Sequence, residues 1–107
     1  MTDVLKAHID ELVKAKRVVI FMKGTPLMPM CGFSAQTVAT LKAAGVTTAE
    51  LSAHDVLRDP ELRQGIKEYS SWPTVPQVYI DGQFIGGCDI VKDLHAKGKL
   101  APLVTGA

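Results

Sequence analysis

The chain has 107 residues, 47% of them hydrophobic and 21% charged, and a formal net charge of +1. That length suits a single domain over residues 1–107, and the composition is that of an ordinary globular protein. Scattered Lys and Arg argue against nucleic acid or an anionic membrane as partner, and the longest apolar run, Val18 to Met22, is far too short to span a bilayer.

The opening Met1-Thr2-Asp3-Val4-Leu5-Lys6 lacks the pattern of a secretory signal or a transit peptide, so a cytoplasmic location is expected. Thr2 and Asp3 can cap a first helix, with Leu5, Ile9, Leu12 and Val13 on one face. Arg17 to Lys23 is a continuous β-branched run that suits a strand buried on both faces. A rigid loop broken by Pro26 and Pro29 follows. A second helix is expected from Cys31 or just after it to about Ala44, stopped by Gly45. A weakly marked strand lies somewhere in Thr47 to Ala53.

Asp59-Pro60-Glu61 marks a third helix, with Leu62, Ile66 and Tyr69 as its apolar stripe. Gln77 to Ile80 and Gln83 to Ile85 flank Asp81-Gly82, the favoured turn of a hairpin. Gly86-Gly87 ends it and a last helix begins near Cys88-Asp89. The order predicts an α/β sandwich, a parallel strand pair carrying an antiparallel hairpin with helices on both faces.

There are two cysteines, Cys31 and Cys88, and neither is in a C-x-x-C pair. That excludes the usual dithiol exchange site and, within one chain, a zinc site; a disulfide between them is not expected in a reducing cytoplasm. Cys31 lies at a loop-to-helix junction, where free N–H groups and the helix dipole favour a thiolate and Lys23 can add positive charge. From the residue alone, a buried cysteine packing as a small hydrophobe is as good a reading. The neighbouring Gly32 and Pro29 favour an exposed, tightly turned thiol. Ser34 stands where a dithiol exchanger keeps its resolving cysteine, so a mixed disulfide at Cys31 would need an outside thiol.

Trp72-Pro73-Thr74-Val75-Pro76-Gln77 stiffens the entry to the hairpin. A cis bond before Pro76 would turn the Val75 main chain outward to pair with an extended peptide, although only about one X–Pro bond in twenty is cis. At Gly86-Gly87-Cys88-Asp89, the new helix offers N–H groups to a carboxylate and Asp89 an acceptor to an amine, although the isolated pattern favours a simple helix cap by Asp89. Arg63 and Lys67, one turn apart, read as a solvated face. His8, His54 and His95 show no metal-ligand spacing.

Together these segments resemble the monothiol glutaredoxins of the CGFS type, in their single-domain form. The motifs are Lys23-Gly24-Thr25-Pro26, Pro29, Cys31-Gly32-Phe33-Ser34, Arg63 to Ser70, Trp72 to Gln77 and Gly86-Gly87-Cys88-Asp89. The resemblance implies a thioredoxin fold with a four-stranded mixed sheet and a cis peptide before Pro76. It also implies a glutathione groove: Lys23 and Arg63 face the glycine carboxylate, the Val75 main chain pairs with the cysteinyl unit, and Cys88 and Asp89 hold the γ-glutamyl end. It further implies a labile [2Fe–2S] cluster bridging a homodimer, held by Cys31 of each chain and two glutathiones. Such a chain would carry clusters from an assembly scaffold to apo-acceptor proteins and pair with a BolA-like protein. The same thiolate would serve a glutathione-dependent thiol–disulfide oxidoreductase, and a sensing module is a third reading. Leu27, Met28 and Met30 depart from the family by making the loop before Cys31 more apolar.

Overall fold

In a computed structural model, which describes residues 1–106, five α-helices flank a four-stranded mixed sheet. The first helix, α1 (Asp3–Lys14), starts as expected, with the Thr2 hydroxyl accepting from the Leu5 N–H at 3.1 Å. Strand β1 (Val18–Met22) is wholly buried because it sits in the middle of the sheet. It pairs in parallel with β2 (Leu51–Asp55) and antiparallel with β3 (Gln77–Ile80), which pairs antiparallel with β4 (Gln83–Gly86). The strand order β2-β1-β3-β4 is that of the thioredoxin fold.

Side chains alternate along β1, and this alternation divides the interior. Val18, Ile20 and Met22 pack against Val38 and Leu41 of α2 (Gly32–Ala43), Val91 of α4 (Cys88–Ala96), and Leu100 and Val104 of α5 (Leu100–Thr105). Val19 and Phe21 face the other way, onto Ile9 and Val13 of α1 and Leu62 and Ile66 of α3 (Pro60–Ser70). Each buried side chain of this size contributes about 1.5–3 kcal/mol, so the middle strand anchors both layers. Among the described residues, no helix is long and apolar enough to cross a membrane.

Three sequence expectations shift at their edges. The weak strand begins at Leu51 because Thr47 and Glu50 close a capping box around a 3₁₀ turn, Thr48–Glu50, and so use up the start of the predicted segment. The expected last helix is two: Lys97 to Lys99, with Gly98 at φ +70°, breaks it between α4 and α5. Arg17 and Lys23 fall outside β1. Arg17 forks onto Asp81 (2.8 and 3.0 Å) and caps the α5 carbonyls of Leu103 and Val104 (3.0 and 3.2 Å). Asp81 and Gly82 both take positive φ, the left-handed pair that a two-residue hairpin turn requires.

Candidate functional site

Lys23 ends the run of β1 and begins the loop to α2. The loop closes on itself where Gly24 and Pro29 form an antiparallel bridge and the Met30 N–H donates to the Lys23 carbonyl at 2.9 Å. At its far end Cys31 is the N-cap of α2 in extended conformation. The thiol therefore sits at the start of the helix, beside its first N–H groups.

That position decides its chemistry. Cys31 titrates below the ordinary thiol value, chiefly because the backbone N–H of Ser34 favours the thiolate; the Phe33 N–H, the Ser34 hydroxyl and the charge of Lys23 add to this, while partial burial opposes it. Ser34 is fully buried, and its hydroxyl oxygen accepts from the Lys23 N–H at 3.1 Å. Where a second thiol would resolve a disulfide, this residue instead holds the loop and supports the thiolate.

A groove of about 580 Å³ runs from Cys31 across the end of the sheet. All six residues singled out in the sequence line it: Lys23, Cys31, Arg63, Val75, Cys88 and Asp89. Arg63 projects from α3 on one side, and Asp89 sits on the first turn of α4 on the other. Between them lies the Val75–Pro76 segment, whose peptide bond is cis. The α4 N-cap is Gly87, with no side-chain capping bond, so Asp89 is not the helix cap and remains exposed beside the groove.

Cys88 lines the groove as a buried thiol, its Sγ 3.9 Å from Gln36 Oε1. The reading of Arg63 and Lys67 as a solvated face is corrected. Both are half-buried in the groove wall, because α3 packs with its stripe on Phe21 and turns the adjoining face to the site. Lys23, Arg63 and Lys67 form no ion pair with a carboxylate among the described residues.

Gln77 is the residue that sequence reading undervalued. It is fully buried, donates from Nε2 to the carbonyls of Trp72 and Thr74 (3.2 Å each) and accepts from the Tyr79 hydroxyl (3.3 Å). It thereby ties the Trp72–Pro76 wall of the groove to β3. The available signal was an amide directly after proline in an otherwise apolar strand. Trp72 lines the groove with its ring against Phe84, and its indole N–H is buried without a partner among the described residues. His54 stacks on Phe21 at 5.2 Å, and the described residues contain no cluster of three or more His, Cys, Asp or Glu suited to a metal ion.

The glutaredoxin family profile matches residues 18–85, from β1 through the hairpin. Monothiol glutaredoxin-5, mitochondrial, of Saccharomyces cerevisiae is 50% identical over 103 residues, covering 96% of this chain and 68% of the relative. The chain belongs to the monothiol glutaredoxins. A monothiol glutaredoxin of Synechocystis, ycf64-like, is 54% identical over 99 residues, covering 92% of this chain and 90% of that one. The solution structure of reduced poplar apo GrxS14 superimposes with a TM-score of 0.80 at 46% identity, covering 95% of this chain and 91% of the other. In this glutaredoxin the single thiol of the Cys31-Gly32-Phe33-Ser34 turn and the groove beside it form one continuous site.

Proposed function

We propose that this monothiol glutaredoxin binds glutathione in the groove and carries a labile [2Fe–2S] cluster between proteins. The observation that carries the reading is the placing of complementary groups along one cleft. Cations stand at the Arg63 and Lys23 end, an activated thiol and the Val75 main chain in the middle, and the α4 N-terminus with Asp89 at the far end. A tripeptide with a carboxylate at one end and an α-amino acid at the other matches that sequence of groups.

The donor set also fits a shared cluster. Such a centre takes four thiolate-type ligands. One chain offers a single thiolate at the groove mouth, since Cys88 is buried toward Gln36. Cys31 from each of two chains with two glutathiones completes the four, and exchangeable ligands make the cargo transferable. A scaffold would supply it, apo-proteins would receive it, and a BolA-like protein could replace one protomer. The setting in this reading is the reducing cytoplasm.

A second reading, thiol–disulfide oxidoreductase, draws on the depressed Cys31 pKa. The Cys31 thiolate attacks the glutathionyl sulfur of a mixed disulfide and the client thiolate leaves. A second glutathione thiolate then attacks the Cys31–glutathione bond, releasing oxidised glutathione and restoring Cys31. Anaerobic reconstitution with iron, sulfide and glutathione separates the two. A coloured dimer that requires both glutathione and Cys31 supports the carrier. A colourless monomer that rapidly reduces glutathionylated substrate overturns it in favour of the oxidoreductase.

A further inference from the structure

The loop before Cys31 carries apolar side chains into solvent. Leu27 is 91% exposed, Met28 71% and Met30 66%, and beside them stand Phe33 at 60% and Ile90 at 41%, both lining the groove. These five account for most of the molecule's large exposed apolar surface, and they gather at one place. Isolated exposed hydrophobes need no explanation, but a cluster beside a reactive thiol does.

The loop is braced in this exposed form. Thr25 and Met28 exchange N–H to carbonyl bonds of 3.1 Å, and Pro26 and Pro29 fix their own φ angles. Gly24, at φ +86°, lies so close under the loop that a Cβ there would stand 2.6 Å from the Met30 nitrogen. A surface already ordered loses little conformational freedom when a partner covers it, and methionine adapts to irregular apolar partners. The groove lined by Phe33 and Ile90 also carries Lys23, Arg63 and Lys67, with Asp89 as its one acid. Exposed apolar and cationic side chains thus meet at one groove.

We propose that Leu27, Met28 and Met30, continued by Phe33 and Ile90, are the docking surface for an apolar, acidic segment of a client protein. Its apolar side chains cover the loop while its carboxylates face the cationic wall. Three cations against one acid select an acidic segment over a basic one. The inference rests on the function proposed above only in that a client must approach Cys31. If glutathione engages Lys23 and Arg63, Lys67 is the cation left for the client.

The test uses the cluster-free 107-residue protein and two synthetic amphipathic peptides without cysteine. They share one leucine face, and one is otherwise glutamate-rich and the other lysine-rich. Because neither thiol nor cluster is involved, failure here is distinct from failure of the cluster reading. The glutamate peptide is expected to bind, shifting the amide resonances of Leu27, Met28, Met30 and Phe33. Affinity should fall about tenfold in a Leu27→Ser, Met28→Ser, Met30→Ser variant, and Lys67→Glu should shift preference toward the lysine peptide. Leu57→Ser with Leu103→Ser, two exposed leucines elsewhere, should leave binding unchanged. The proposal is overturned if both peptides bind equally, if neither binds, or if the triple variant binds undiminished. It is equally overturned if loop resonances shift with protein concentration alone, which identifies a second copy as the occupant. Binding to phosphatidylglycerol vesicles in preference to either peptide would identify a membrane instead.

Discussion

Replacing Gln77 tests whether the groove wall is held by one buried amide. Gln77→Leu keeps the approximate volume but removes three hydrogen bonds: two to the carbonyls of Trp72 and Thr74 and one from the Tyr79 hydroxyl. At about 1 kcal/mol net for each bond, the loss is about 3 kcal/mol. The better burial of leucine offsets about 1 of these, leaving about 2 kcal/mol of destabilisation. For a chain of this length that lowers the urea midpoint by about 1 M. Trp72, the only tryptophan, sits in the affected wall, so its fluorescence reports the wall directly, with circular dichroism as the global probe. Gln77→Glu sharpens the test. It keeps an acceptor for Tyr79 but points a carboxyl at two carbonyls, and burial raises that acid's folded pKa above the unfolded value near 4.3. A raised folded-state pKa means the folded form holds the proton more tightly. Stability should therefore be greatest below about pH 4 and fall as pH rises through the folded value. A Gln77→Leu protein as stable as the parent, or a Gln77→Glu protein indifferent to pH, would refute this account of the wall.

The alkylation rate of Cys31 should reach half its plateau below the pH of an ordinary thiol. Ser34→Ala should move the midpoint upward by more than Lys23→Met, because the buried Ser34 hydroxyl acts on the sulfur directly while solvent screens the half-buried Lys23 charge; the reverse order would remove Ser34 from the thiolate's support. Burial, with a smaller contribution from His8, holds His54 below the ordinary histidine value. The unfolded chain then binds the proton more readily, so His54 stabilises the fold above about pH 6.5, and that contribution is lost as pH falls toward its folded value. An imidazole NMR titration with a midpoint at or above that of a free histidine would contradict it.

Much of the fold was legible because its signals are local. Asp59-Pro60, Asp81-Gly82 and the run through Val18 to Met22 each state their conformation within a few residues. The site was legible for a related reason: Cys31, Val75 and Asp89 each sit in a motif whose backbone geometry is local. What escaped depends on contacts far apart in the chain. Nothing near Arg63 and Lys67 says that their side of α3 faces a groove, since the packing of α3 on Phe21 decides it. The partners of Gln77 include carbonyls whose direction follows from the backbone path through Pro76. The split between α4 and α5 turns on Gly98, which reads equally well as a tolerated glycine inside one helix.

The alternation along β1 has a mechanical consequence. Cys31 and Asp89 ride on helices seated on one face of the sheet, whereas Arg63 and Lys67 ride on a helix seated on the other. The two jaws of the groove thus belong to layers packed separately on opposite faces of the sheet. A molecule stretched from Arg63 to Asp89 would act as a strut between them, resisting any sliding of one layer over the other. Occupancy would then be felt as rigidity far from the thiol, at Val13 in α1 and at Val104 in α5, neither of which lines the groove.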